Sequence, residues 1–312
     1  MKALVATDYG APPSNLEVTD VPEPTPGPGQ LLVRMEAAAL NPFDLKLING
    51  MLREVMPLSS PHLIGMDGAG VVAAVGGGVT GLTERSPIVG FFGATPGTIA
   101  KYAVIHEGPA VTARPAALDA VHAAAIPESG LTALTLMRAA KLQPGESVLV
   151  IGASGGIGMF VVQLAAAEGA RVIATARGED FDYVRGLGAS EVIDYTSADV
   201  VEETLRLESD GADVVIDLVN MGEPLLSSAP AARQGGRLVS PLGGPDDLGR
   251  DVAAVYIGSM TPRAGDLERL VAQAADGTLK IEVSRTYRLD ESPQAMTDLA
   301  ERHTRGKLVI TL

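Results

Sequence analysis

Residues 152 to 158 read GASGGIG, four glycines in seven positions directly after the apolar run SVLVI. Glycine at this density lets main-chain N–H groups reach a ligand that a Cβ would hold away. Ile157, Val161, Val162 and Leu164 follow at helical spacing, so the turn lies where a strand gives way to a helix. At such a helix start the N–H groups lack intrahelical acceptors and the macrodipole adds positive partial charge. Together these hold a pyrophosphate without a cationic side chain. Gly155 would admit the close approach, and Gly158 would let the helix pack against the strand. The strict G-x-G-x-x-G spacing is not met, because Ala153 takes its first position. The candidate contacts are Ala153, Ser154, Gly155, Gly156, Ile157 and Gly158; the competing reading is a buried turn with no ligand.

The next apolar run, RVIATAR, ends at Ala176 and Arg177. Sheets that bind NAD end this strand in a carboxylate that takes the ribose hydroxyls. With no carboxylate there and a guanidinium able to pair with a 2′-phosphate, NADP(H) is the expected cofactor. The alternative for Arg177 is a solvated surface arginine. Tyr195, closing EVIDY, is a further candidate for the adenine end. Leu218 and Val219, with Asn220, follow one later strand, and Leu242 and Gly243, with Gly244, follow another. Both strand ends would open on the crevice where ligands lie in such sheets.

The elements needed to position these residues are legible from periodicity. Strands are expected at 147–151, 171–175, 191–194, 213–218, 236–241 and 252–257, with helices near 157–168, 180–187, 198–207 and 222–232. This alternation predicts a doubly wound parallel sheet. Before it, KALVAT, QLLVRMEAAAL, GAGVVAAVG, PIVGFFG and AKYAVI are short β-like runs between Gly/Pro-rich breaks, the texture of a small β-rich barrel or sandwich. From about residue 120 the texture turns helical around Pro127. After residue 258 a helix, a strand, a second helix and a last strand could either close the sheet or return to the N-terminal part.

Composition removes several function classes. Thirty-eight acidic against 24 basic residues give a formal charge of -14, which repels polyphosphate backbones and anionic membranes. Nucleic acid and membrane are therefore not expected partners, and a cytoplasmic location is expected because the N-terminus MKALVATDYG has no apolar signal core. With no Cys there is no thiol nucleophile, disulfide or thiolate metal site, and His62, His106, His122 and His303 lack ligand spacing. No metal is expected.

Taken in order, ALNPFDLKLING, GMDGAGVVAAVGGGV, GTIAKYAVI, GLTAL, LQPGESVLVIGASGGIG, VVQLA, GASEVIDY, GADVVIDLV, GGRLVS and HTRGKLVITL make the chain resemble the zinc-free quinone oxidoreductases. These form the zeta-crystallin-like family of the medium-chain dehydrogenase/reductase superfamily, and the resemblance covers nearly the whole chain. It implies a GroES-like β-rich barrel domain over 1–119, a Rossmann NADP-binding domain over 120–257 and a C-terminal return over 258–312 that completes the first domain. It places the active site in the cleft between the domains and implies a homodimer or homotetramer. Zinc-using relatives carry Gly-His-Glu where this chain has Gly65-Met66-Asp67, and Arg85-Ser86 replaces the family's Gly-Asp, which puts that loop's geometry in question.

The resemblance further implies hydride transfer from NADPH to a quinone or small α,β-unsaturated carbonyl. Without a metal, hydrogen-bond donors must meet the charge developing on the acceptor oxygen. Asn41 and Thr132 match family positions near the nicotinamide and are the catalytic candidates. The alternatives are a turn residue before Pro42 for Asn41 and a helix-interior residue for Thr132. Asp44 reads as a structural cap, and Lys307 as a turn residue before the last strand. Leu47, Ile48, Met51, Phe91 and Phe92 are candidates for an apolar pocket, with core packing the default for each. An enoyl-thioester reductase is the neighbouring enzyme reading, and a nucleotide-binding sensor or structural protein without turnover is the non-catalytic one.

Overall fold

The computed structural model describes residues 1–58, 61–93 and 97–312. It divides into two compact units, Met1–Glu128 with Pro262–Leu312, and Ser129–Thr261. The first opens with β1 (Lys2–Ala6), β2 (Leu16–Asp20), β3 (Gln30–Ala39) and α1 (Pro42–Ile48). It continues through β4 (His62–Leu63), β5 (Asp67–Val75), β6 (Pro87–Phe91), β7 (Tyr102–His106), β8 (Val111–Ala113) and α2 (Ala120–Ala124). Asp119 caps α2, accepting from the N–H groups of Val121 and His122 at 2.9 and 3.0 Å. The helical texture after residue 120 marks this element, not a domain border as expected. α2 packs on β3 and β5, so the border falls later, inside α3 (Pro127–Ala140).

The second unit is a six-stranded, wholly parallel sheet. Its elements are β9 (Ser147–Ile151), α4 (Gly156–Ala167), β10 (Arg171–Ala176), α5 (Phe181–Gly186), β11 (Glu191–Asp194), α6 (Val200–Leu207), β12 (Ala212–Asp217), α7 (Leu225–Ser228), β13 (Ala232–Ser240) and β14 (Ala253–Tyr256). The order β11-β10-β9-β12-β13-β14 is the expected doubly wound arrangement. β9 lies inside the sheet and reads as an unbroken apolar run because such a strand is covered on both faces. Leu149, Ile173, Val215 and Leu238 share one buried cluster, each worth about 1.5–3 kcal/mol of burial. The helix expected near 222–232 is cut to four residues. Pro224 and Pro230 interrupt it, a short 3₁₀ turn fills Ala229–Ala231, and β13 starts earlier than expected, at Ala232.

The chain then returns to the first unit with α8 (Asp266–Ala275), β15 (Val283–Arg288), α9 (Ser292–Glu301) and β16 (Lys307–Thr311). β16 pairs antiparallel with β3 and parallel with β15, so the tail completes the β-rich unit. β3 also pairs with β5 and β7. Leu4, Leu40, Ile48, Ile64, Ile99, Met296 and Ile310 form a core shared by the N-terminal strands and the tail. At the Arg85-Ser86 departure the loop keeps a left-handed turn: Arg85 has φ 69°, a conformation glycine adopts freely, and its N–H donates to Val72 O at 2.8 Å.

Candidate functional site

In the second unit the glycine turn stands at the C-terminal end of β9, beside β12, where the strand order reverses. Gly152 has φ 86°, and its N–H donates to Thr175 Oγ1 at 3.1 Å. A Cβ on Gly158 would stand 2.2 Å from Gly152 O, so glycine is required there for the helix to meet the turn. Gly155 differs. It caps α4 in extended conformation, and a Cβ on it would meet only Gly152 O, at an ordinary 3.5 Å. Nothing in the protein demands glycine at that position, so the residue keeps open the space in front of the helix start. Ala153 and Ser154 are buried under the turn, while Gly155, Gly156 and Ile157 are partly exposed.

The neighbouring strand ends converge on the same edge. Leu218 N–H donates to Ile151 O at 3.1 Å, tying the end of β12 to the end of β9. Val219, 61% exposed, stands over Gly152; a Cβ there would lie 2.8 Å from Val219 Cγ2. Gly222 N–H donates to Gly243 O at 2.7 Å, and Leu242 N–H to Ser240 Oγ at 3.0 Å, which brings in the end of β13. At the end of β10, Ala176 is buried and Arg177 is exposed. Arg177 Nε donates to Tyr195 Oη at 3.1 Å, and that hydrogen bond raises the guanidinium pKa above its ordinary value. Asp194 is engaged by Thr196, accepting from its N–H and hydroxyl at 2.9 and 2.6 Å, while the carboxylates of Glu179 and Asp180 add to the rise of the Arg177 pKa.

The first unit holds a second polar constellation. Asn41 caps α1 and has no exposed surface. Its N–H donates to Asp44 Oδ2 at 2.9 Å, its Nδ2 donates to Asp67 Oδ2 at 3.0 Å, and its Oδ1 accepts from Lys307 Nζ. Asp67 Oδ1 also accepts from Glu128 N–H at 3.0 Å, at the start of α3. Asp44, Asp67 and Lys307 are buried with it. Burial pushes Asp44 up to about 7 and Asp67 up to about 8, although Lys307 pulls both down. Lys307 is therefore a buried partner of Asn41, correcting the expected turn residue. Its place at the start of β16, the tail strand beside β3, takes the ammonium inward. Asp44 is the cap it was read to be.

Thr132 is buried in the second turn of α3. Of the expected apolar pocket, Leu47, Ile48 and Phe92 are core residues, Phe91 is half-buried and Met51 is exposed. Three polar anchors escaped sequence reasoning: Thr175 under the turn, Asp217 at the end of β12 and Lys307. The only signal for Asp217 was its place as the last residue of β12, directly after the apolar run Val214–Ile216.

Similarity to known proteins covers nearly the whole chain. Residues 27–115 match the alcohol dehydrogenase GroES-like domain, and residues 187–310 match a family described as zinc-binding dehydrogenase. Among the described residues, however, no three His, Asp or Glu side chains converge as a metal would need, and the chain has no Cys. A chloroplast envelope quinone oxidoreductase homolog of Arabidopsis thaliana is 31% identical, over 99% of this chain and 98% of its own length. An NADPH-dependent alkenal/one oxidoreductase of the same plant is 29% identical, over 99% of this chain and 79% of its own. The solved quinone oxidoreductase of Coxiella burnetii superposes with a TM-score of 0.88 at 29% identity, covering 100% of this chain and 99% of that one. No helix among the described residues is long and apolar enough to cross a membrane. Fold, motif order and full-length identity agree: the chain belongs to the quinone oxidoreductase family of the medium-chain dehydrogenase/reductase superfamily.

Proposed function

We propose that the protein reduces quinones or small α,β-unsaturated carbonyls with NADPH and without zinc. The observation that carries this reading is the open space that Gly155 keeps at the start of α4, on the same sheet edge as the exposed Arg177–Tyr195 pair. The turn Ala153–Gly158 would hold the diphosphate through main-chain N–H groups, a role for which a Cβ at Gly155 is the obstacle. Arg177 would pair with the 2′-phosphate, with Tyr195 holding the guanidinium in place through its hydroxyl. Leu218, Val219, Leu242 and Gly243 would form the wall along the crevice. When bound, the nicotinamide supplies the hydride.

Thr132 is the polar side chain assigned to the reacting end. Asn41, its amide committed to Asp67 and Lys307, is assigned to holding the start of α1 and the facing end of β5 in register. Charge developing on the acceptor oxygen would be met by hydrogen-bond donors, since among the described residues no three His, Asp or Glu side chains converge. The names of the quinone and alkenal/one oxidoreductases that match this chain support the acceptor class. β14 ends the parallel sheet, and its outer edge is where a second copy would add to it.

The test is NADPH oxidation with 1,4-benzoquinone and with 3-buten-2-one, before and after exhaustive chelation. Turnover with either acceptor that survives chelation is expected. Tight NADPH binding without turnover across a broad acceptor panel would favour a sensor, and activity lost on chelation and restored only by zinc would overturn the metal-free reading.

A further inference from the structure

Asp217 is the last residue of β12 and has no exposed surface, yet Val219, two residues on, is 61% exposed. Its carboxylate takes four donors. Oδ1 accepts from Val219 N–H at 3.0 Å and Asn220 N–H at 2.9 Å. Oδ2 accepts from Asn220 Nδ2 at 2.8 Å and Ser228 Oγ at 2.7 Å. These fill the four acceptor positions of a carboxylate. They fold the chain after Leu218 back over the strand end, which sets Val219 against Gly152, and they fasten the same turn to α7 through Ser228.

We propose that Asp217 is a positioning residue for nucleotide binding, holding the Leu218–Val219–Asn220 turn in the shape that forms one wall of the crevice. The proposal rests on the reading that this crevice takes NADPH. It differs from a general stability role because the bonds are directional. Two of the four donors are main-chain N–H groups of the turn itself, so a change of acceptor at Asp217 alters where Val219 stands before it alters the packing of β12. β12 is held separately, by its pairing with β9 and β13.

The geometry offers a test by exchange. In Asn220→Asp the carboxylate of residue 220 faces that of Asp217, acceptor against acceptor, a clash that no side-chain rotation relieves, whereas an asparagine at 217 alone is met by Asn220 turning its amide over. Adding Asp217→Asn to it restores a donor–acceptor pair with the roles reversed. Ser228 can accommodate it, because its hydroxyl already lies 3.1 Å from Leu225 O and can donate there while accepting from residue 217. NADPH titrations of the full-length protein, with amide exchange at Val219 and Asn220 as a second readout, compare wild type, the two single variants and the pair.

Asn220→Asp should weaken NADPH by about tenfold or more and speed exchange at both amides, by more than the accompanying fall in the unfolding midpoint accounts for. The double variant should return to within about threefold of wild type, a coupling a purely structural role would not give. If Asn220→Asp fails to fold, Asn220→Ala, which leaves the carboxylate three donors, should still weaken NADPH by a few fold. Wild-type binding in Asn220→Asp, a folded double variant that stays weak, or an unaffected Asn220→Ala would each overturn the proposal while NADPH binding itself stands. A wild-type protein that binds no NADPH would remove the underlying reading, and the proposal with it.

Discussion

Raising the pH from about 5 to about 8 should loosen the first unit, because Asp44 and Asp67 keep protons in the folded chain that they give up on unfolding. Their folded values of about 7 and about 8 lie well above the ordinary 3.8, through burial. For a carboxyl raised in this way, stability is fully present below the unfolded pKa and is lost as the pH climbs through the folded one. Each group costs on the order of 1.4 kcal/mol per pH unit in that range. Two groups tied to one lysine, less an opposing contribution from buried His62, whose imidazole burial holds below its ordinary 6.5, put the loss between pH 5 and 8 at roughly 3–6 kcal/mol. Asp194 and Asp276, held below the usual range by hydrogen bonds from Thr196 and Thr278, lose their contributions only as the pH falls, outside this window.

Urea unfolding at steps across the window reads the slope directly. Asp67→Asn removes one titrating group at a cost of roughly 1 kcal/mol, since one amide oxygen cannot serve both Asn41 and Glu128 as the two carboxylate oxygens do. Its curve should flatten above about pH 7. Lys307→Met should steepen the fall, costing about 3–5 kcal/mol at the alkaline end, where the carboxylates lose their buried cation. A wild-type midpoint level from pH 5 to 8, or an Asp67→Asn curve parallel to wild type, would refute the reasoning.

Gly155→Ala should leave the urea midpoint within about 0.5 kcal/mol of wild type but weaken NADPH sharply, whereas Gly158→Ala should cost several kcal/mol, on the order of 2–4, from the contact with Gly152 O. Binding and unfolding measured on the same preparations separate the two. Arg177→Ala should weaken NADPH by about tenfold or more and NADH little, as paired titrations would show; equal losses would remove Arg177 from the phosphate site. Arg85→Gly should stabilise the protein by up to about 1 kcal/mol, by relieving the left-handed backbone at φ 69°, which a melting comparison would detect.

The parallel sheet was readable because its strands carry short apolar stretches between turn signals, and the run SVLVI leading into GASGGIG fixes where the first helix starts. The glycine turn was readable for the same reason, and the motif spacing already separated Gly158, which the packing of the helix requires, from Gly155, at which the protein itself leaves room for a Cβ. The helix after Met221 was over-read because apolar periodicity outweighed Pro224 and Pro230. The domain border was misplaced because a change of texture marks a change of element, and α2 still belongs to the β-rich unit. Lys307 was missed for a deeper reason. Its partners Asn41 and Asp67 lie 266 and 240 positions away, and no local pattern announces that a lysine at a strand start will be buried by a sheet assembled from both ends of the chain.

Calorimetric titration of the intact, folded protein with NADPH asks most directly whether the turn at the end of β9 receives a diphosphate. Saturable heat with one nucleotide per chain, largely abolished in Gly155→Ala at an unchanged melting temperature, is the predicted result. No heat with either reduced or oxidised nucleotide at millimolar concentration, or a Gly155→Ala protein that binds like wild type, would contradict it.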